Sequence, residues 1–240
     1  MKTFPILSLL LLANASPAPP RPVVLELFTS QSCSSCPPAD ALLASIAATD
    51  SSVLALDFHV DYWNYLHWRD RFSLPEATQR QRAYAARLGT EVYTPQLIVD
   101  GQQQAVGSER AAVLARIATA RAAIANGPSL RITRAGDTLT IDVGASAAGN
   151  IGASAAGNIG AGAASGDVVL VGYDLQHATQ VGAGENAGRV LREVNVVRSV
   201  ASIGKWRGGE LQLQTARPAG DADAVLVQGS GGRILAAFAL

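Results

Sequence analysis

The sequence predicts an α/β fold in which a four-stranded mixed sheet has helices on both faces, followed by a β-rich, sandwich-like C-terminal domain. Three observations lead to this fold class. Short apolar runs typical of buried strands alternate with helical patterns over the first half of the chain. The Asp100-Gly101 pair predicts a hairpin that closes this half. After Pro128 only short β-rich runs broken by Gly and Asp follow.

The element order predicted for the first half is β-α-β-α-β-β-α. Two strands joined through a helix should lie parallel, with a right-handed crossover, and the closing hairpin should add an antiparallel edge. The predicted strands and helices occupy, in order, residues 23–28, 37–48, 53–60, 73–89, 91–101, 102–106 and 108–126.

Helix boundaries are predicted from capping signals. Pro37 and Pro38 suit a first helical turn, whose backbone N–H groups have no partner within the helix. Ser73 and Glu76 have the spacing of a capping box, and Gly89 should end that helix.

The second half is predicted to be all β. About seven short strands suggest an antiparallel sandwich or barrel over residues 128–240, next to a first domain at 22–127. A Gly/Ala repeat interrupts it at 144–166, where "GASAAGNI" occurs twice without change. We interpret the repeat as a flexible insertion in a loop between two strands.

The N-terminus reads as an export signal over residues 1–15. Lys2 supplies a positive charge, an apolar run follows, and Ala13 to Ala15 fits a small-x-small cleavage pattern. The run is too short to span a bilayer, so no stable membrane insertion is expected after cleavage. The predicted location is therefore the periplasm or the exterior, where disulfides persist.

Charge composition argues against one class of partner. With 19 basic and 19 acidic residues the formal net charge is zero, and no basic stripe is available to neutralise phosphates. Nucleic acid is therefore not an expected partner.

The two cysteines of the chain, Cys33 and Cys36, lie where the first helix is predicted to begin. A helix N-terminus favours negative charge, which should lower the thiol pKa of Cys33 and make it the nucleophile. Cys36, predicted to be the more buried thiol, would then resolve the mixed disulfide. This chemistry requires no cofactor, and the substrate would be a protein or small-molecule thiol or disulfide.

A second candidate feature is Thr94-Pro95, just before the closing hairpin. Proline is tolerated there at a strand start or a special turn, and a cis bond would leave the backbone of Thr94 free to pair with an extended substrate. The aromatic loop at 61–72 contains Trp63, a candidate wall of the substrate groove.

Together these features resemble the thioredoxin superfamily over residues 22 to about 126. More narrowly, "LFTSQSCSSCPPAD", "FHVDYW", "YTPQ" and "NVVR" resemble a bacterial family of secreted, thioredoxin-like proteins of unknown function. The resemblance implies the fold and a redox class rather than a substrate. It also implies that Glu26, an acidic residue within an apolar strand, relays protons to the resolving cysteine, although Glu26 could instead point at a polar loop.

Other interpretations of these residues stay open. The cysteine pair could be a structural disulfide, or could bind Cu(I) with His59 or His67 in a periplasmic copper carrier or binding module with a non-catalytic β domain. The stretch 184–198, with Asn186, Asn195 and Arg198, could be an ordinary turn and strand or could face the Cys33 pocket. The residues leave oxidase, reductase and isomerase directions equally possible.

Overall fold

The computed structural model describes residues 21–124, 127–145 and 165–240 of the chain. The predicted signal peptide at 1–15 lies outside the described residues. So does the repeat from 146 to 164, and both interpretations remain predictions.

The described residues form three helices and eleven strands. None of these helices is long and apolar enough to cross a membrane. The helices are α1 (Pro37–Thr49), α2 (Pro75–Leu88) and α3 (Arg110–Ala122). The strands are β1 (Val23–Thr29), β2 (Val53–His59), β3 (Gln96–Val99), β4 (Gln103–Val106), β5 (Leu130–Ala135), β6 (Thr138–Val143), β7 (Gly166–Gln180), β8 (Val190–Trp206), β9 (Leu211–Ala216), β10 (Ala222–Gly229) and β11 (Ile234–Ala239).

The predicted fold class is confirmed, and the predicted four-stranded sheet is one half of a larger one. Strands β2-β1-β3-β4 lie side by side, with β1 and β2 parallel and β3 and β4 antiparallel. Beyond β2 the sheet continues through β8, β7, β10 and β11, which makes eight strands. Parallel pairing of β8 with β2 is brief and centres on Asp57 opposite Val196.

A second, three-stranded sheet of order β5-β6-β9 covers part of the large sheet. Leu139 and Ile141 of this small sheet share a buried cluster with Val168, Trp206 and Val225 of the large sheet. This face-to-face packing gives the second half its sandwich-like character. The large sheet crosses the predicted boundary between 22–127 and 128–240, and the division into two domains stays a prediction.

The two faces of the large sheet are covered by different elements. Phe28 and Phe58 lie on one face and pack with Tyr84 of α2. Leu25 and Leu27 lie on the opposite face, in a cluster that includes buried residues of α1 and α3. Successive strand residues point to opposite faces, so the side of the sheet on which each β1 residue lies is set by its position in the strand.

Some predicted boundary signals are confirmed and one is wrong. Gly89 ends α2 with a left-handed backbone (φ 64°), and Asp100 and Gly101 form the β3–β4 turn with positive φ. The capping box at the start of α2 is wrong, because the N-cap residue is Leu74 and no side chain caps the helix. The hydroxyl of Ser73 instead donates to the backbone oxygen of Asp70 at 2.8 Å.

Candidate functional site

The cysteines lie in the loop that connects β1 to α1. Cys36 is the N-cap residue of α1, and Pro37 occupies its first turn as predicted. Two backbone hydrogen bonds shape the loop: Cys33 N donates to Ser30 O at 3.1 Å, and Cys36 N donates to Cys33 O at 3.2 Å. Cys36 therefore lies at the N-terminus of α1, and Cys33 lies three residues before it in the chain.

Cys33 and Cys36 are joined by a disulfide whose Cα atoms are 5.4 Å apart. Ser34 and Ser35, between them, are exposed, but Cys33 and Cys36 are only 1% and 0% exposed. The Ser35 hydroxyl lies 3.3 Å from Cys33 Sγ. Cys36 is thus the more buried of the two, as predicted, but the difference is small and both cysteines are buried.

Thr94, Pro95 and Trp63 lie together at the same end of the sheet as the cysteine loop. The Thr94–Pro95 peptide bond is cis. Pro95 immediately precedes the β3 residue that pairs with Phe28, so it lies beside the end of β1 from which the cysteine loop departs. Trp63 Nε1 donates to Thr94 Oγ1 at 2.8 Å. These three predicted substrate-binding residues thus form one group at the end of β1 from which the cysteine loop departs.

Glu26 lies elsewhere. It is fully buried among the side chains that face α2, on the opposite side of the sheet from α1. Its carboxylate is paired with the guanidinium of Arg80 and accepts a hydrogen bond from the hydroxyl of Tyr84. These partners compensate the charge of the Glu26 carboxylate and satisfy its hydrogen bonds. The sheet separates this carboxylate from the helix that begins at Cys36.

A different set of polar side chains is buried behind the cysteine loop. Gln31, two residues before Cys33, donates its backbone N–H to Asp70 Oδ2 at 2.8 Å. The same oxygen lies 2.7 Å from His59 Nδ1. The side-chain amide of Gln31 donates to the carboxylate of Glu193, at 3.1 and 3.0 Å. We call Gln31, Asp57, His59, Asp70 and Glu193 the buried polar cluster.

The charges of the buried polar cluster are strongly coupled. Burial works to lower the pKa of His59, but the Asp70 and Asp57 carboxylates outweigh it and hold that pKa well above its ordinary value. His59 is therefore expected to be an imidazolium at neutral pH. Its Nε2 lies 3.5 Å from Asp57 Oδ2, and neither of these atoms has a hydrogen-bond partner among the described residues.

Asp40 links this cluster to α1. It lies one turn after Cys36, its backbone N–H donates to Cys36 O at 3.1 Å, and its carboxyl accepts a hydrogen bond from Thr29 Oγ1 at 2.8 Å. Burial, and then the charge of Asp57, raise the pKa of Asp40 well above its ordinary value. A buried carboxyl whose neutral form is favoured by burial thus lies on the helix that begins at Cys36.

Glu193 should make stability depend on pH. Burial raises its pKa from 4.5 to about 7. A carboxyl whose pKa is raised on folding stabilises the protein fully below its unfolded pKa, and this contribution is lost as pH rises through the folded pKa. Glu193→Gln removes this ionisation. We therefore expect the free energy of unfolding of the variant minus that of wild type to increase by up to about 3 kcal/mol as the pH rises from 4 to 8.

Urea unfolding of the oxidised protein at a series of pH values measures this change. Glu210→Gln, which alters an exposed carboxylate between β8 and β9, is the matched control and should follow the wild-type profile. Parallel profiles for Glu193→Gln and wild type would contradict the prediction.

The turn between β7 and β8 also reaches the cysteine loop. We call residues 181–189 the hairpin tip. Within it, Asn186 donates its side-chain amide to Gln31 O and Cys33 O, at 3.0 and 2.9 Å. Of the three polar residues of 184–198 that the sequence singled out, Asn186 does face the cysteine site. Asn195 instead donates to Ala55 O, and Arg198 pairs with Asp174.

The two histidines proposed as copper ligands differ in position. His59 is fully buried with Nδ1 engaged by Asp70, and His67 is exposed in the aromatic loop. Within residues 21–124, 127–145 and 165–240, no group of three or more His, Cys, Asp or Glu side chains is arranged to hold a metal ion. Copper binding remains an untested alternative.

Sequence reasoning missed Gln31, Asp40, Asp70 and Glu193 as parts of the site. Gln31 and Asp40 flank the cysteine motif closely, but Glu193 is more than 150 positions away and meets Gln31 only through the fold. One available signal was a charged or polar side chain within an apolar strand. That signal pointed to Glu26, and it applied equally to Asp57 and Glu193.

The fold and the site define an α/β protein whose first helix begins at one half of a Cys-x-x-Cys disulfide and whose β-rich half contributes to the same site. The chain belongs to the family described as "Protein of unknown function (DUF1223)", whose profile matches residues 24–228. No curated protein matches the chain.

Two solved structures resemble this chain. The crystal structure of protein AGR_C_4864 from Agrobacterium tumefaciens is 29% identical, with a TM-score of 0.73, over 93% of this chain and 96% of that one. HBP35 of Porphyromonas gingivalis is 17% identical, with a TM-score of 0.62, over 94% of this chain and 76% of that one. At that identity the likeness to HBP35 concerns the fold alone.

Proposed function

We propose that this chain is an exported thiol–disulfide oxidoreductase of the thioredoxin-like class, acting in the periplasm or outside the cell. The observation that carries the proposal is the Cys33–Cys36 disulfide at the N-terminus of α1. A helix N-terminus stabilises negative charge, so the reduced pair has a favourable place for a thiolate. A bridge closing so short a loop constrains little chain, which makes a purely stabilising role a weak explanation.

Reduction of a substrate disulfide would proceed in two exchange steps. The Cys33 thiolate attacks one sulfur of a substrate disulfide, forms a mixed disulfide and releases the other substrate sulfur as a thiolate. The Cys36 thiolate then attacks Cys33 Sγ, closes the disulfide and releases the second substrate sulfur. Two electrons pass to the substrate and the pair becomes oxidised. The same steps in reverse oxidise a dithiol.

A buried proton acceptor for Cys36 fits this mechanism better at Asp40 than at the predicted Glu26. Asp40 is one turn after Cys36 on the same helix, and Glu26 is paired with Arg80 on the other side of the sheet. A carboxyl whose pKa is raised by burial is, once ionised, a stronger base than an ordinary aspartate. We assign the ionised form of Asp40 as the group that takes the Cys36 proton when the thiolate forms.

The substrate is proposed to lie beside Thr94, Pro95 and Trp63. Trp63 stacks on Tyr65 with ring centroids 6.3 Å apart, and Tyr65 is 71% exposed. The partly exposed Trp63 and the exposed Tyr65 would offer an apolar wall for a protein or small-molecule disulfide.

Redox equilibration tests the proposal. We expect the pair to titrate as one two-electron couple when the purified protein is incubated in glutathione buffers of graded ratio. Thiol alkylation and intact mass measure the reduced fraction. The Cys33→Ala, Cys36→Ala double variant contains no thiol and gives the background signal of the alkylation assay. A pair that stays oxidised at every ratio, and in strong reductant, would contradict the function.

A further inference from the structure

We infer that the hairpin tip is a working part of the redox site: Asn186 holds the cysteine loop in its covered conformation, and Glu185 disfavours the thiolate of Cys33. This inference rests on the proposed function. It assigns positioning roles to two residues of the β-rich half, about 150 positions after the cysteines.

The hairpin tip has its own compact structure. Val181 N donates to Arg189 O and Gly188 N donates to Val181 O, both at 2.9 Å. Gly184 has a positive φ of 77°, and a Cβ placed on it would lie 3.3 Å from both Leu66 O and Trp68 Cβ. A glycine at this position therefore lets the tip approach the aromatic loop that flanks the cysteines.

Asn186 is the strongest link between the tip and the cysteine loop. Its side chain is fully buried and donates to two carbonyl oxygens, one in Gln31 and one in Cys33 itself. Its own oxygen accepts a hydrogen bond from Arg189 Nη1 at 2.9 Å, which fixes the orientation of the amide. Removal of Asn186 would leave two loop carbonyls without these donors and weaken the closed arrangement.

Glu185 contacts the loop between the two cysteines. Its carboxylate accepts the backbone N–H of Ser34 at 2.9 Å. Hydrogen bonds from Ser34 hold the pKa of Glu185 below its ordinary value, so the carboxylate is charged at neutral pH. That charge would repel a thiolate on Cys33, the residue that precedes Ser34.

The covered state of Cys33 follows from this arrangement. The residue is 1% exposed although its neighbours Ser34 and Ser35 are exposed, and the tip lies against its backbone. A protein disulfide must come within bonding distance of Cys33 Sγ, and we expect the loop that Asn186 holds to shift for that approach. The tip thus governs both access to the sulfur and its charge.

The first test concerns charge. In reduced protein, Glu185→Gln should lower the thiol pKa of Cys33 by about half a unit, measured from the pH dependence of the alkylation rate. The difference should shrink in high salt, because the carboxylate is exposed and therefore screened. Glu210→Gln is the matched control and should leave the thiol pKa unchanged. Equal values for all three proteins would overturn the role of Glu185.

The second test concerns access. Asn186→Ala should accelerate reduction of the disulfide by dithiothreitol about tenfold. Arg189→Ala should accelerate it less, because it removes only the hydrogen bond that orients the Asn186 amide. The control is Asn195→Ala, which removes an amide of β8 that donates to Ala55 O instead. If Asn186→Ala fails to fold, the reduction rate of Arg189→Ala tests the access role instead.

Outcomes for this inference and for the proposed function are distinct. If wild type equilibrates with glutathione but Asn186→Ala and Arg189→Ala react at the wild-type rate, the access role is wrong and the oxidoreductase stands. If wild type stays oxidised in every buffer, the proposed function fails, and the inference fails with it.

Discussion

Cys36→Ala is expected to accumulate a mixed disulfide between Cys33 and its substrate, and Cys33→Ala to accumulate none. In the proposed mechanism Cys33 forms the bond to the substrate and Cys36 breaks it, so loss of the Cys36 thiol should halt the reaction at the mixed disulfide. The effect should be close to all-or-none. Purified variant incubated with oxidised glutathione, then examined by intact mass under acidic quench, gives the measurement.

The control for this experiment is reduction of the mixed disulfide. Dithiothreitol should release glutathione from Cys36→Ala and restore the unmodified mass. A mixed disulfide that forms equally on Cys36→Ala and Cys33→Ala would show that either thiol reacts, and the assignment of nucleophile and resolving residue would be wrong. Absence of an adduct on both variants would argue against exchange through this pair.

Asp70→Ala should lower the free energy of unfolding by about 3 to 5 kcal/mol at neutral pH. The Asp70 carboxylate accepts the backbone N–H groups of Gln31 and Phe72, at 2.8 and 2.9 Å, and faces His59 Nδ1 at 2.7 Å. Its removal strands these buried donors, and one of them belongs to a residue expected to be charged. Urea unfolding of the oxidised protein, followed by tryptophan fluorescence, measures the loss.

The pH dependence of this loss has a defined sign. Burial alone would raise the pKa of Asp70, but His59 outweighs it and the pKa lies below its ordinary value. The stability that Asp70 confers is therefore present above the unfolded pKa and disappears as pH falls through the folded pKa. The gap between Asp70→Ala and wild type should accordingly narrow in strong acid.

Asp142→Ala is the matched control for Asp70→Ala. Asp142 accepts a hydrogen bond from Gln212 at the surface of the small sheet, where such contacts contribute less than about 1 kcal/mol. Similar losses for the two variants would mean that the buried polar cluster does not stabilise the cysteine loop in the way its contacts indicate.

The β-rich half contacts the cysteine loop directly through three of its side chains. Strand β8 supplies Glu193, β7 supplies Thr179, and the hairpin tip supplies Asn186, and all three donate to or accept from Gln31. Gln31 is in turn two residues from Cys33. These contacts connect the cysteine loop to the C-terminal half of the chain.

The sequence by itself determined the features that depend on a few neighbouring residues. The 3.6 and 2.0 periods of helix and strand, the helix end at Gly89, the Asp100-Gly101 turn and the placement of Cys36 at the start of α1 are all local. They were predicted because backbone geometry and capping chemistry act over one or two turns of chain.

Only the tertiary structure decided how distant segments meet. The burial of Glu26 was predictable from its apolar strand, but its pairing with Arg80 required knowing which face α2 covers. The extension of the sheet from β2 to β8, and the contact of Asn186 with Cys33, join segments about 140 or more residues apart. Such pairings have no local signature, because they arise from the shared burial of surfaces that come together only when the whole chain folds.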